Sequence, residues 1–207
     1  ASDFFAGCPT KAFPAMIVSA CLNTNPMMIY FGQELGEKGM DEEGFSGRDG
    51  RTTIFDYWCV DSIRRWCDHG QFDTHLLNNK EKSVRTFYKN LLNLCNEEKC
   101  ISEGRMFDLM YANTNCWQMN EHKQYAFIRQ YGEETMLIAV NFGDIHMRVA
   151  INIPEHAFEY LEMPKFEHVK AKDLISGKEE KISFTSSRPT GIDLPANSGK
   201  ILKIKLK

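Results

Sequence analysis

Residues 26–58 read PMMIYFGQELGEKGMDEEGFSGRDGRTTIFDYW, and the fold turns on how this stretch is understood. Its opening run, Met27 to Phe31, is wholly apolar, follows Pro26 and stops at Gly32. So short a run between two breakers reads as a buried strand rather than a helix, and a strand buried on both faces suits a parallel sheet. Gln33 and Glu34 then place an amide and a carboxylate where the strand ends, and Gly36, Gly39, Gly44, Gly47 and Gly50 mark a long, charged loop. Loops of this length inside compact domains are uncommon and often carry function. The loop returns to Ile54, Phe55, Tyr57 and Trp58, so apolar residues anchor both ends.

Upstream, Thr10 is placed to cap a helix with Phe13, Met16, Ile17, Ala20 and Cys21 on one face. Pro14 falls near its first turn, where proline does little harm. Asn23-Thr24-Asn25-Pro26 supplies the turn into the strand. Downstream, Asp61 or Ser62 can cap a short helix through Ile63, Arg64, Trp66 and Cys67, ended by His69-Gly70. The clearest helix begins at Asn78-Asn79, with Val84, Phe87, Tyr88, Leu91, Leu94 and Cys95 on its apolar face and Lys82, Arg85 and Lys89 on its solvated one.

After about Ile101 the period changes from helical to alternating. Strands are expected at Gln124 to Tyr131, at Thr135 to Val140, which is apolar enough to be central, and around Met147 to Ile153, with turns at Gly132-Glu133, Gly143-Asp144, Ser176-Gly177 and Ser198-Gly199. This is the pattern of an antiparallel sandwich. In the last strand Leu202, Ile204 and Leu206 face inward and Lys203, Lys205 and Lys207 outward, which reads as an edge strand guarded by lysines.

The composition is that of an ordinary globular chain, 43% hydrophobic and 26% charged with a net charge of −3. No run approaches the ~20 apolar residues of a membrane span, so no membrane partner is expected. Mild acidity without a basic stripe argues against nucleic acid. No secretory signal is seen, although a chain opening on Ala1 leaves room for one upstream. The seven cysteines are odd in number and lack CxxC spacing, so buried free thiols in a reducing compartment are favoured over a disulfide framework. The histidines form no HExxH, and Asp41, Glu42 and Glu43 lack calcium-loop spacing; neither a metal nor a cofactor is expected.

Taken in order, a helix, Asn23-Thr24-Asn25-Pro26, a strand ending Ile29-Tyr30-Phe31-Gly32-Gln33-Glu34, a glycine-rich loop and Arg51-Thr52-Thr53-Ile54-Phe55-Asp56-Tyr57-Trp58 resemble the eighth strand and following loop of an alpha-amylase family barrel (glycoside hydrolase family 13). In that family Gly-Gln-Glu or Gly-Asp-Glu ends the last barrel strand, and a small all-β domain follows. The resemblance implies an α+β fragment. Residues 1–100 would be the last helix, strand (27–31) and covering helices of a (β/α)8 barrel, and residues 101–207 an antiparallel β-sandwich domain. A whole barrel needs eight strands and ~250 residues, so the chain is expected to be the carboxy-terminal piece of a larger enzyme.

The resemblance also implies chemistry. Family members retain anomeric configuration, using a carboxylate nucleophile and a carboxyl acid ~5 to 5.5 Å apart with a third acid orienting the sugar. In the family these residues end strands four, five and seven, which fall before Ala1. Ala1-Ser2-Asp3-Phe4-Phe5 resembles the stretch just after the seventh strand's acid. No catalytic residue is therefore expected in this chain, and alone it should be inactive. Its contribution would be to the glucan-binding rim, through Gln33, Glu34, Asp49 and Arg51.

The expected partner is an alpha-glucan, held together with the missing barrel; the barrel remnant would expose apolar edges or pair with a second copy as a homodimer. Two readings of the rim stay open: Glu34 and Arg51 contact sugar, or they form an ion pair that holds the loop. Trp58 and Trp66 read as core. Trp117 either caps the sandwich core or offers an exposed platform. The competing view of the whole chain is a non-catalytic β-sandwich module that binds carbohydrate or a partner.

Overall fold

The computed structural model describes residues 5, 7–37, 60–116 and 118–205. Contacts divide the chain into two units, residues 1–12 with 27–91 and residues 13–26 with 92–207.

In the first unit, a 3-10 turn at Pro9–Ala12 precedes a second one, Gln33–Leu35, held between Gly32 (φ 66°) and Gly36 (φ 81°). Both glycines sit in the left-handed region that other residues avoid. A Cβ on Gly36 would also lie 2.8 Å from Pro9 Cγ, so two constraints require glycine there. Helix α2 (Asp61–Cys67) ends where Asp68 and His69 take positive φ ahead of Gly70. Helix α3 (Asn79–Glu97), whose residues 79–91 belong to this unit, opens on a capping box. Glu81 N donates to Asn78 Oδ1 and Asn78 N donates to Glu81 Oε2, both at 2.9 Å, which satisfies two of the amides a helix start leaves open.

Val84, Tyr88 and Leu91 of α3 are buried as the apolar stripe requires. Arg85, expected on the solvated face, lies with its guanidinium 3.7 Å from the centre of the half-buried Trp66 ring; Trp66 is thus packed under a cation rather than inside a core. The run 27–31, expected as a buried strand, joins no ladder among the described residues, and Met28 is 85% exposed. A strand exists only through a hydrogen-bonded neighbour, and no described residue supplies one.

The second unit begins with helix α1 (Phe13–Cys21) and continues through helix α4 (Lys99–Ser102) into strands β1 (Arg105–Asp108), β2 (Gln124–Tyr131), β3 (Glu134–Asn141) and β4 (Met147–Ile151). Helix α5 (Glu155–Leu161) and strands β5 (Phe166–Asp173), β6 (Glu179–Phe184), β7 (Thr190–Leu194) and β8 (Ser198–Lys205) complete it. One antiparallel sheet of six strands runs β1-β2-β3-β8-β5-β6, and β4 pairs with β7 in a second. Side chains from both sheets and α5 share one core, including Ile128, Leu137, Val149, Ile151, Phe158, Phe184, Ile192, Leu202 and Ile204. Each such large apolar side chain contributes about 1.5–3 kcal/mol on burial, which is what holds the two sheets together.

The other face of β3, Met136, Ile138 and Val140, is buried as well, and α1 and α4 pack on that strand. Burial on both faces explains its unbroken apolar run. Gly199 of β8 lets α1 approach, since a Cβ there would lie 2.9 Å from Ile17 Cδ1 and 2.7 Å from Val140 Cγ1.

The expectation for the last strand is corrected. β8 lies between β3 and β5, in the middle of the sheet, and needs no guard. Lys203 instead ion-pairs with Glu98 at 2.6 Å and Glu134 at 2.9 Å. Leu206 and Lys207 lie outside the described residues.

Candidate functional site

The turn Gly32–Gly36 places the two adjoining rim candidates in different settings. Gln33 is held on both ends of its amide: Nε2 donates to Tyr88 Oη at 2.9 Å, and Oε1 accepts from Tyr30 N at 3.2 Å. Tyr88 is 2% exposed, and burial pushes its phenol above the ordinary range. The hydrogen bond from Gln33 opposes that shift and the Glu34 charge adds to it. The phenol is therefore neutral at physiological pH and can accept from Gln33. Glu34, half-buried, has no hydrogen bond or ion pair to another described residue. Asp49 and Arg51 lie outside the described residues, as does Trp117.

Beside the turn is a hollow of about 280 Å³ lined by Pro9, Gly36, Glu37, Ser62, Arg65 and Lys80 among others. Its polar side chains are already engaged. Ser62 Oγ donates to Glu37 Oε2 at 3.0 Å. Arg65 donates through Nε and Nη2 to both carboxylate oxygens of Glu81 at 3.1 and 2.5 Å, a bidentate pairing that stiffens the α2–α3 contact. Among the described residues no group of three His, Cys, Asp or Glu side chains is placed to hold a metal.

Chemically, the turn offers one acceptor-rich carboxylate beside a fixed amide, the residue types that bind neighbouring hydroxyls. In the sequence Tyr88 is only one residue of an apolar stripe. Its role under Gln33 arises from a contact across 55 positions, which no local pattern announces.

No family model matches the sequence, and no curated protein does. Solved structures do. The chain is similar to the maltogenic alpha-amylase AmyB from Thermotoga neapolitana, with a TM-score of 0.63 and 13% identity over 96% of this chain and 37% of that one. It is similar to an AmyP variant in complex with maltotriose, with a TM-score of 0.59 and 18% identity over 94% and 34%. For the alpha-amylase from Geobacillus thermoleovorans, complexed with acarbose, the TM-score is 0.54 and the identity 15% over 96% and 34%.

The likeness at these identities is one of fold: the chain is similar in fold to part of each of these alpha-amylase structures, in line with the resemblance at residues 23–34. It spans about a third of the length of these structures.

Proposed function

We propose that this chain is the carboxy-terminal part of an alpha-amylase family glycosidase, whose parent hydrolyses alpha-1,4 bonds of starch or maltooligosaccharides with retention of configuration. The observation that carries the reading is the extent of the fold likeness, which covers 94 to 96% of this chain in each of these alpha-amylase structures. Residues 27–31 fit the eighth barrel strand. An apolar run with no ladder partner among the described residues and with Met28 exposed is what a barrel strand looks like apart from its neighbours. Residues 101–207 fit the β-sandwich domain that follows the barrel.

On this reading the nucleophile and acid lie upstream. This chain supplies part of the rim: Glu34 accepts hydrogen bonds from sugar hydroxyls, Gln33 is fixed beside it by Tyr88, and Asp49 and Arg51 reach the same sugars from the loop. A second reading, a glucan-binding sandwich module, draws on the closed core of the second unit.

The test compares maltooligosaccharide hydrolysis by the 207-residue chain with that by a chain extended upstream by ~250 residues. Activity only in the longer chain is the expected result. Activity in the short chain would overturn the reading, because its own carboxylates would then form a complete site; inactivity in both would favour the module.

A further inference from the structure

At the margin of its core the second unit carries a partly exposed aromatic cluster, anchored by Phe107, which packs against that core. Phe107 of β1 lies at the centre, with ring centroids 6.2 Å from Tyr111, 5.1 Å from His156 and 6.0 Å from Tyr160. Tyr111 belongs to a 3-10 turn just after the edge strand. His156 and Tyr160 are four apart on α5, while Ala157, Phe158 and Leu161 of the same helix enter the core. The two tyrosines are each 54% exposed.

Single exposed aromatics are common on protein surfaces, but here three rings gather around Phe107, and each of the three carries a polar group. Tyr111 Oη is 2.8 Å from His156 Nε2. The Arg105 guanidinium lies 5.6 Å from the centre of the Tyr160 ring, donates to Tyr160 O at 2.9 Å and pairs with Glu162 at 3.5 Å.

We propose that Phe107, Tyr111, His156 and Tyr160 form a saccharide-binding surface that takes a short run of consecutive glucose units of an alpha-glucan. Ring faces match the apolar faces of pyranose rings, and the phenols, imidazole and guanidinium match the hydroxyls around them. The charge on Arg105 is balanced by Glu162, which favours a neutral ligand over an anion. A purely apolar partner would strip water from the exposed Tyr160 and offer its hydroxyl no hydrogen bond. That the ligand is a neutral saccharide follows from the cluster; that it is an alpha-glucan rests on the function proposed above.

The experiment is affinity electrophoresis of the 207-residue chain through native gels containing soluble starch, with xylan and no polysaccharide as controls. Retardation by starch is expected, weakened about tenfold in Tyr160→Ala and in Tyr111→Ala and largely kept in Tyr111→Phe, which preserves the ring. Both tyrosines are exposed, and circular dichroism of each variant confirms its fold. Starch retardation unchanged in both alanine variants overturns the proposal, as does retardation by xylan alone. Absence of retardation by either polysaccharide, while the longer chain hydrolyses starch, overturns this surface and leaves the functional reading standing.

Discussion

Arg129 gives the sharpest test of how the second unit is held together. It sits in the middle of β2, 1% exposed, and pairs with no carboxylate among the described residues. Its guanidinium donates instead to three carbonyls: Nε to Cys100 O at 2.9 Å, Nη2 to Ile101 O at 2.6 Å and Nη1 to Leu22 O at 3.1 Å. These oxygens belong to α4 and to the residue following α1, where helices leave acceptors unsatisfied and a cation is favoured. Burial pulls the guanidinium below its ordinary range, and the neighbouring Cys21 and Cys100 oppose this; it stays charged at any physiological pH.

Arg129→Met keeps much of the volume and removes all three bonds. Each hydrogen bond to a charged group contributes about 1.5–3 kcal/mol, while relief of a buried charge returns several kcal/mol. The net loss expected is therefore about 2–5 kcal/mol, the cost of three carbonyls left without a donor. Urea unfolding followed by circular dichroism measures it, with amide exchange in β2 and β3 assigning the loss to the second unit. A loss below about 1 kcal/mol with an unchanged urea dependence would refute the argument, because water would then be serving the three carbonyls equally well.

Other perturbations follow the same reasoning. Gly36→Ala forces a Cβ against Pro9 at a positive φ and should cost about 1–2 kcal/mol in the first unit, read as earlier amide exchange in α2. Of two cysteines, Cys8, whose thiol is lowered chiefly by its hydrogen bond with Thr10, should be alkylated by iodoacetamide before Cys100, whose buried thiol is pushed up to about 11; mass spectrometry orders them. For Lys203, burial pulls the ammonium down, but its hydrogen bonds to Glu98 and Glu134 outweigh this and leave it raised. A raised lysine stabilises fully below the unfolded value of about 10.4 and loses that stabilisation as pH rises through the folded value. The melting-temperature gap between wild type and Lys203→Met should therefore be level from pH 7 to 9 and close only above about pH 10.4.

What could be read in advance was whatever depends on neighbours in sequence. Alternation located β2, β3 and β4 with little error, Gly132-Glu133 marked the hairpin between the first two, and Asn78 marked the start of α3. Helix α5 escaped because it spans only seven residues, Glu155–Leu161, and the alternating Ile151 and Ile153 just before it suggested that the strand continued. Strand order is the deeper limit. A period of two says which side of β8 faces the core but not which strands flank it. Lysines on its outer face suited an edge equally well until Glu98 and Glu134 were seen beside Lys203. The run at 27–31 shows the converse, because its apolar character states what it must bury but not where the neighbour comes from.

Gln33 and Glu34, adjacent in sequence and alike in expected role, therefore call for different experiments. Gln33 acts through its anchoring: Tyr88→Phe removes the acceptor of its amide and should loosen the Gly32–Gly36 turn by about 1 kcal/mol, seen as faster amide exchange of Leu35. Glu34 acts through its charge, which adds to the rise in the Tyr88 phenol. Glu34→Gln should accordingly lower the Tyr88 pKa, a shift that carbon-13 labelling of the tyrosines reports by nuclear magnetic resonance without any substrate. An unmoved Tyr88 titration would mean that the carboxylate points away from the phenol and the turn. If the titration falls and the turn stays ordered, Glu34 is a charge presented on a fixed scaffold, and its substitution in the longer chain then measures sugar contact rather than collapse of the loop.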